Sequence, residues 1–182
     1  MNPIIDSALS FDEAFAGKRV PQFIRRHLSL LEIDYWGFDG VLHRGQIIVN
    51  AELADEVEQI FADIREARFP IKKMIPVCAY KWNDDLSMAA NNSSGFNPRR
   101  VANTRRKSLH TAGRAIDINP VQNPWEHDGL VEPPGAQYEP AQPGTIVDDG
   151  PVVSAFLSRG WEWGGHWTTM KDWHHFQKAA SD

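Results

Sequence analysis

Two side chains with metal-binding chemistry, His110 and Asp117, stand seven positions apart in "KSLHTAGRAIDINP", with small residues and one glycine between them. Zinc takes an imidazole nitrogen or a carboxylate oxygen at about 2.0–2.2 Å, so two donors on one ion lie roughly 3–4 Å apart. A straight helix separates positions at this interval by about 10.5 Å, and a strand by roughly 20 Å with the side chains on opposite faces. The pair shares an ion only if the chain reverses between its members, and Gly113 is the residue that permits a reversal. After it, "RAIDI" alternates: Ile116 and Ile118 take a core face, while Ala115 and Asp117 take the other and turn Asp117 back towards His110. One histidine and one aspartate also suit an ordinary turn and a solvated surface, so a third ligand decides. "KDWHHF", residues 171–176, supplies two more histidines and another carboxylate among aromatics. In an ideal strand Asp172 and His174 share one face and His175 takes the other, so periodicity alone leans towards His174 as that ligand.

The elements that must hold these residues are unevenly legible. "LEIDYWGFDGVLHRGQIIVN" reads as strand, turn, strand. Residues 51–67 read as a helix capped by Asn50, with Leu53, Val57, Ile60, Phe61 and Ile64 on one face. "IKKMIPVCAY" is expected to be a strand with Pro76 at an edge or bulge. Residues 10–31 form a weakly helical segment around Pro21, and residues 81–107 are polar and irregular. Residues 120–143 hold six prolines and are expected to lack regular structure, within a long loop over 120–150 near the site. Pro151 starts a further helix that Gly160 stops.

The length of 182 residues predicts one domain over residues 1–182, with the N-terminal helical segment at 1–30. A formal charge of −5 argues against a general nucleic-acid binder. One local exception, five cations at Arg99, Arg100, Arg105, Arg106 and Lys107, precedes His110 and suits an anionic substrate as well as it suits a solvated loop. A lone cysteine, Cys78, excludes an intrachain disulfide and a cysteine-type structural zinc site. With no signal peptide and no membrane span to read, the expected location is cytoplasmic, with export by another route left open.

Two windows carry a resemblance. "SLHTAGRAID" fits S-x-H-x-x-G-x-A-x-D and "DWHHF" fits D-x-x-H-F, and both are similar to the signatures of the zinc D-Ala-D-Ala carboxypeptidase and L-alanyl-D-glutamate endopeptidase family, relatives of the vancomycin-resistance D,D-dipeptidases. Other stretches, "FDGVLHRGQIIVN", "DDLSMAANNSSGFNPR" and "GWEWGGHW", extend the likeness over roughly residues 30 to 178. The resemblance implies an α+β fold, mainly antiparallel sheet with packed helices, and a zinc ion in a cleft on the sheet. It implies ligands His110, Asp117 and His175, selecting His175 over His174 by the family spacing, and Asp172 as general base where some relatives carry glutamate. A strand end or bulge is then expected near Asp172. Ser108 and Arg99 are the candidate substrate-binding residues; Arg100 competes with Arg99, and Lys81 stands where some relatives have an arginine after a strand tyrosine. His43 and His166 are read as turn or wall residues, with His166 a candidate to line the cleft beside Trp163 and Trp167; His127 sits between two acids in the proline-rich excursion, where a second metal is not expected. The implied activity is hydrolysis of peptidoglycan-type peptides containing D-amino acids, with D-alanyl-D-alanine carboxypeptidase ahead of L-alanyl-D-glutamate endopeptidase and of a non-catalytic zinc-containing binding module. A peptidoglycan peptide is the expected partner, with neither nucleic acid nor membrane, and no oligomeric state is predicted.

Overall fold

The computed structural model describes residues 2–99 and 108–180. Its largest regular unit is the expected hairpin, β2 (Leu28–Trp36) and β3 (Leu42–Asn50), paired antiparallel from Leu28 opposite Asn50 to Trp36 opposite Leu42. A two-residue strand, β1 (Ile4–Ile5), runs parallel along the free side of β3. The "QIIVN" end of β3 reads as a continuous run because the strand is covered on both faces. Ile47 and Val49 enter one cluster with Leu31, Ile33 and Tyr35; Ile48 enters another with Phe15, Val77, Trp82 and Phe96.

Helix α2 (Ala54–Glu66) closes the first cluster with Val57, Ile60, Phe61 and Ile64, all buried. Full burial of side chains this size is worth about 1.5–3 kcal/mol each. A 3₁₀ turn, Ala51–Leu53, leads into the helix, and Asn50 caps it by accepting the Glu52 N–H through Oδ1 at 3.1 Å. Helix α4 (Pro151–Leu157) has proline in its first turn and adds Val152, Val153 and Phe156 to the same cluster.

Two small sheets complete the α+β architecture. One joins β4 (Ala115–Asp117), β9 (His175–Gln177) and β7 (Glu162–Trp163) in the order β4-β9-β7; the other joins β5 (Trp125–His127), β6 (Leu130–Glu132) and β8 (Lys171–Asp172) in the order β6-β5-β8. All their pairs are antiparallel. Ile116 and Phe176 pass from the first of these sheets into the main core. Among the described residues no helix is long and apolar enough to cross a membrane.

Four expectations need correction. The segment 1–30 is not helical beyond a 3₁₀ turn at Glu13–Phe15 and a one-turn helix, α1 (Gln22–Arg25); β1 and the start of β2 take its ends, and Pro21 breaks the pattern between them. "IKKMIPVCAY" forms no strand. Only an isolated bridge between Met74 and Ser93 remains, and Pro76, which has no N–H to give a ladder, starts the 3₁₀ helix Val77–Tyr80. The proline-rich stretch is not structureless either: it contains the β5–β6 hairpin, turned by Asp128 and Gly129, both at positive φ, and β5 then pairs with β8. Aspartate followed by glycine is the dipeptide a two-residue hairpin turn demands. In the polar stretch from 81, α3 (Asp84–Ala89) forms because Asn83 Oδ1 accepts the Leu86 N–H at 3.0 Å.

Candidate metal centre

His110 sits in a 3₁₀ turn, Leu109–Ala112, that starts at Ser108 and ends at Gly113. Ser108 Oγ accepts the His110 N–H at 3.2 Å, so this hydroxyl caps the turn that presents the imidazole. Gly113 has φ +66, and a Cβ there would stand 2.5 Å from the Asn50 nitrogen, so the reversal needs glycine for conformation and for space. Asn50, at the end of β3, ties the turn down from both sides: its N–H donates to Gly113 O at 2.7 Å and its Nδ2 to Ala112 O at 3.1 Å. The turn is thereby bolted to the hairpin.

After the reversal Asp117 lies on β4 directly opposite His175 on β9. Opposed residues of an antiparallel pair have Cβ atoms about 4.5–5.5 Å apart on one face, close enough for a shared ligand. The chain reaches His175 by ending β8 at Asp172 and turning through Trp173 and His174, which is the strand end the family spacing requires. His174 turns elsewhere: its Nδ1–H donates to Asn123 O at 2.7 Å, and its Nε2 lies 2.9 Å from Asp172 Oδ1.

His110, Asp117 and His175 converge, all buried, with one donor atom from each lying within 4.8 Å of the others. His110 Nε2 is 3.1 Å from Asp117 Oδ2, His175 Nδ1 is 2.9 Å from Asp117 Oδ1, and the two ring nitrogens are 3.3 Å apart. Ligands at about 2.05 Å on a tetrahedral ion stand roughly 3.3 Å from one another, so the spacing suits a zinc-sized cation. The remaining ring nitrogens strengthen the fit. His110 Nδ1–H donates to Gly95 O at 2.5 Å and His175 Nε2–H to Gln177 Oε1 at 3.2 Å, which leaves the lone pair of each inward nitrogen free for an ion. Two imidazoles and one carboxylate form a donor set suited to zinc rather than to calcium or magnesium.

Electrostatics point the same way. Burial works to raise the Asp117 carboxyl, but charge on His110 and His174 and hydrogen bonds from His110 and His175 outweigh it and hold the group well below the usual carboxylate range. Burial works to lower His175, yet its hydrogen bond to Asp117 and the charges of Asp117 and Asp172 raise it. A carboxylate held in its ionised form at this point favours a cation beside it.

Asp172 approaches this group from β8. His174 Nε2, 2.9 Å from Asp172 Oδ1, is also 4.0 Å from Asp117 Oδ1, so the base candidate lies one imidazole nitrogen away from the ligand carboxylate. Arg99 is part of the surrounding wall. Its Nε stands 2.9 Å from Asp84 Oδ2, and its carbonyl accepts Thr111 Oγ1–H at 2.7 Å. Arg100, Arg105, Arg106 and Lys107, the rest of the basic run, lie outside the described residues. His43 is held between Asp6 and Asp39, His127 bonds Thr169 O, and His166 contacts Asp148; none of the three joins the centre.

Sequence reasoning missed the residues that aim the ligands. Gly95 supplies the carbonyl behind His110, and a Cβ there would stand 2.3 Å from Ile48 O, so only glycine lets this segment lie against β3. Ser94 brackets the other edge of β4 by exchanging backbone hydrogen bonds with Asp117 at 2.8 and 2.9 Å. Fully buried Asn123 accepts the Ile146 N–H through Oδ1 at 2.7 Å and donates through Nδ2 to Ile118, Asn119 and Gly144 carbonyls at 3.0–3.2 Å. The Asp128–Gly129 turn was the one readable signal among these.

Residues 102–178 match a family model described as D-alanyl-D-alanine carboxypeptidase, and that segment holds His110, Asp117, Asp172 and His175. No curated protein and no solved structure gives a match to the chain. The match supports a metallopeptidase type of chemistry, and the buried group just described could hold the metal such chemistry uses.

Proposed function

We propose that this chain, which through residues 102–178 belongs to the D-alanyl-D-alanine carboxypeptidase family of peptidases, is a zinc peptidase that removes terminal D-alanine from peptidoglycan-type peptides. The observation that carries the reading is the convergence of His110, Asp117 and His175 at tetrahedral spacing with the far nitrogen of each imidazole fixed by an oxygen. These three side chains would hold the ion, and three protein ligands are the number that marks a catalytic rather than a structural zinc site. Bound there, zinc would supply a Lewis acid for the scissile carbonyl and a water acidified towards a pKa of about 7.

The chain's own residues do the rest. Asp172 acts as general base and acid. Its Oδ1 is buried against His174, so its other oxygen, Oδ2, collects the proton of the attacking water and delivers it to the departing amine. Ser108 fixes the turn that aims His110, and its hydroxyl proton remains available to a substrate carbonyl or carboxylate. Arg99 anchors the substrate carboxylate by exchanging its contact with Asp84 for a two-pronged one with the peptide terminus.

The test uses zinc-loaded protein and defined muropeptides read by mass spectrometry. Release of a single alanine from a pentapeptide is expected. Release of the dipeptide, or a cut into two complementary fragments, would replace the carboxypeptidase assignment with one of its relatives. Asp172→Ala is expected to keep its zinc and lower turnover by about 10²–10⁴-fold; unchanged turnover would remove Asp172 from the mechanism.

A further inference from the structure

His174 is the histidine the metal does not need, and it is as deeply buried as the ligands, at 3 % exposure. A buried imidazole requires a partner at each nitrogen, and this one has an oxygen at both: Asn123 O at 2.7 Å from Nδ1 and Asp172 Oδ1 at 2.9 Å from Nε2. Because both facing oxygens accept, the ring meets them as a donor at each nitrogen, Nδ1–H towards Asn123 O and Nε2–H towards Asp172, which is the doubly protonated imidazole. Asp172 Oδ1 is itself buried, and no other group among the described residues hydrogen-bonds it. The His174 contact has the right length but imperfect angles, as is common in catalytic pairs before substrate tightens them.

The ring is gripped as firmly as it grips. Its backbone carbonyl accepts the Ile118 N–H at 3.0 Å, next to the ligand Asp117, and the preceding Trp173 N–H donates to Pro124 O at 3.1 Å. Asn123, whose carbonyl holds Nδ1, is locked through its own side chain to residues 118, 119, 144 and 146. Hydrogen bonds therefore run from the proline-rich segment to the His174 imidazole, and a 2.9 Å contact continues from its Nε2 to a single oxygen of Asp172.

We propose that His174 is a positioning residue for Asp172: it bridges the Asn123 carbonyl and Asp172 Oδ1, fixes the carboxylate's rotamer, and keeps Oδ2 directed at the reacting water. This rests on the general-base reading of Asp172. It also gives the proline-rich excursion a task, since the segment builds the support on which His174 leans.

The experiment compares wild type, His174→Ala and His174→Gln, the last able to donate one hydrogen bond from a similar position. Zinc content is measured for each, with cobalt-substituted visible spectra as a report on the ligand set, kcat and KM on the best muropeptide, and the Asp172 rotamer in crystals of each variant. His174→Ala is expected to retain one metal per chain and an unaltered cobalt spectrum, to lose about 10–100-fold in kcat with KM unchanged, and to show Asp172 turned away. His174→Gln is expected to recover at least part of that kcat and the original rotamer. Loss of metal or a changed cobalt spectrum in both variants would make His174 a ligand and overturn the proposal. So would an unmoved Asp172 with wild-type kcat, or equal losses in the two variants. If the loaded wild type cleaves no peptide, the peptidase reading fails separately, while the cobalt spectra and the Asp172 rotamer still judge the role of His174.

Discussion

The β2–β3 hairpin with α2 and the cluster of short strands around His110 solve different problems. In the first region each strand has nine residues in unbroken register, and α2 lays Val57, Ile60, Phe61 and Ile64 against them. Position there follows from periodicity, and one residue's place is enforced by many neighbours. In the second, β4, β7, β8 and β9 have two or three residues each; individual hydrogen bonds to Gly95, Ser94 and Asn50 hold the segments that bear His110 and Asp117, and one to Asn123 holds His174. Long elements supply free energy; short ones supply direction. A donor set drawn from a 3₁₀ turn and two different strands needs abrupt changes of course that no long element provides.

If this division is right, damage to the two regions separates in experiment. Asp117→Ala has the largest expected effect: zinc uptake and hydrolysis fall to background, while the hairpin and α2 keep their circular dichroism. Loss of the folded signal along with the metal would show that the site also carries the frame. Phe61→Ala comes next. It removes a large fully packed side chain from α2 and is expected to cost about 3–5 kcal/mol in urea unfolding. The folded fraction should still bind one zinc per chain, and a fall in stoichiometry under native conditions would break the separation from the other side.

Asn123→Ala probes the short-strand region. It leaves the Ile146 N–H without its acceptor, and the expected cost is about 1–3 kcal/mol of stability. Kinetics should suffer as well, because losing the side-chain anchors frees the Asn123 backbone carbonyl that holds His174 to shift. A variant that melts early but turns over normally would mean the support is structural only.

The same contrast explains how much was legible. The hairpin, the buried face of α2, the Asn50 cap and the proline start of α4 are all written as spacing or local turn chemistry, which survives in one dimension. So is the reversal at Gly113. The third ligand was a different matter: strand periodicity favoured His174, and only the family signature selected His175, because the strand ends at Asp172 and the alternation count restarts after Trp173 and His174. Asn123 and Gly95 left no readable trace, since a side chain that satisfies distant carbonyls and a glycine that lets two segments touch have no periodic neighbours. The proline count hid the β5–β6 hairpin even though Asp128–Gly129 announced it. Prolines 120, 124 and 133 flank those strands and never interrupt them.

The smallest expected effect belongs to the frame, where charges sit at the surface. Asp34 and Arg44 are cross-strand partners, joined by a two-pronged contact at 2.6 and 3.1 Å, with Arg65 at 3.8 Å. Hydrogen bonding to Arg44 is the main reason the Asp34 carboxyl lies below its usual 3.8; partial burial opposes the shift, and the charges of Arg44 and Arg65 add to it. A depressed carboxyl binds its proton more weakly folded than unfolded. Its contribution is therefore complete above the unfolded value and disappears as pH falls through the lower folded one. Both side chains are partly exposed, so no more than about 1 kcal/mol is at stake, and less in high salt. Asp34→Asn should melt slightly earlier than wild type at pH 7, and the two curves should converge as the pH drops below the ordinary carboxylate range. A gap that persists in acid would assign the difference to lost hydrogen-bond geometry instead of charge, making even this surface pair a device of direction, like those around His110.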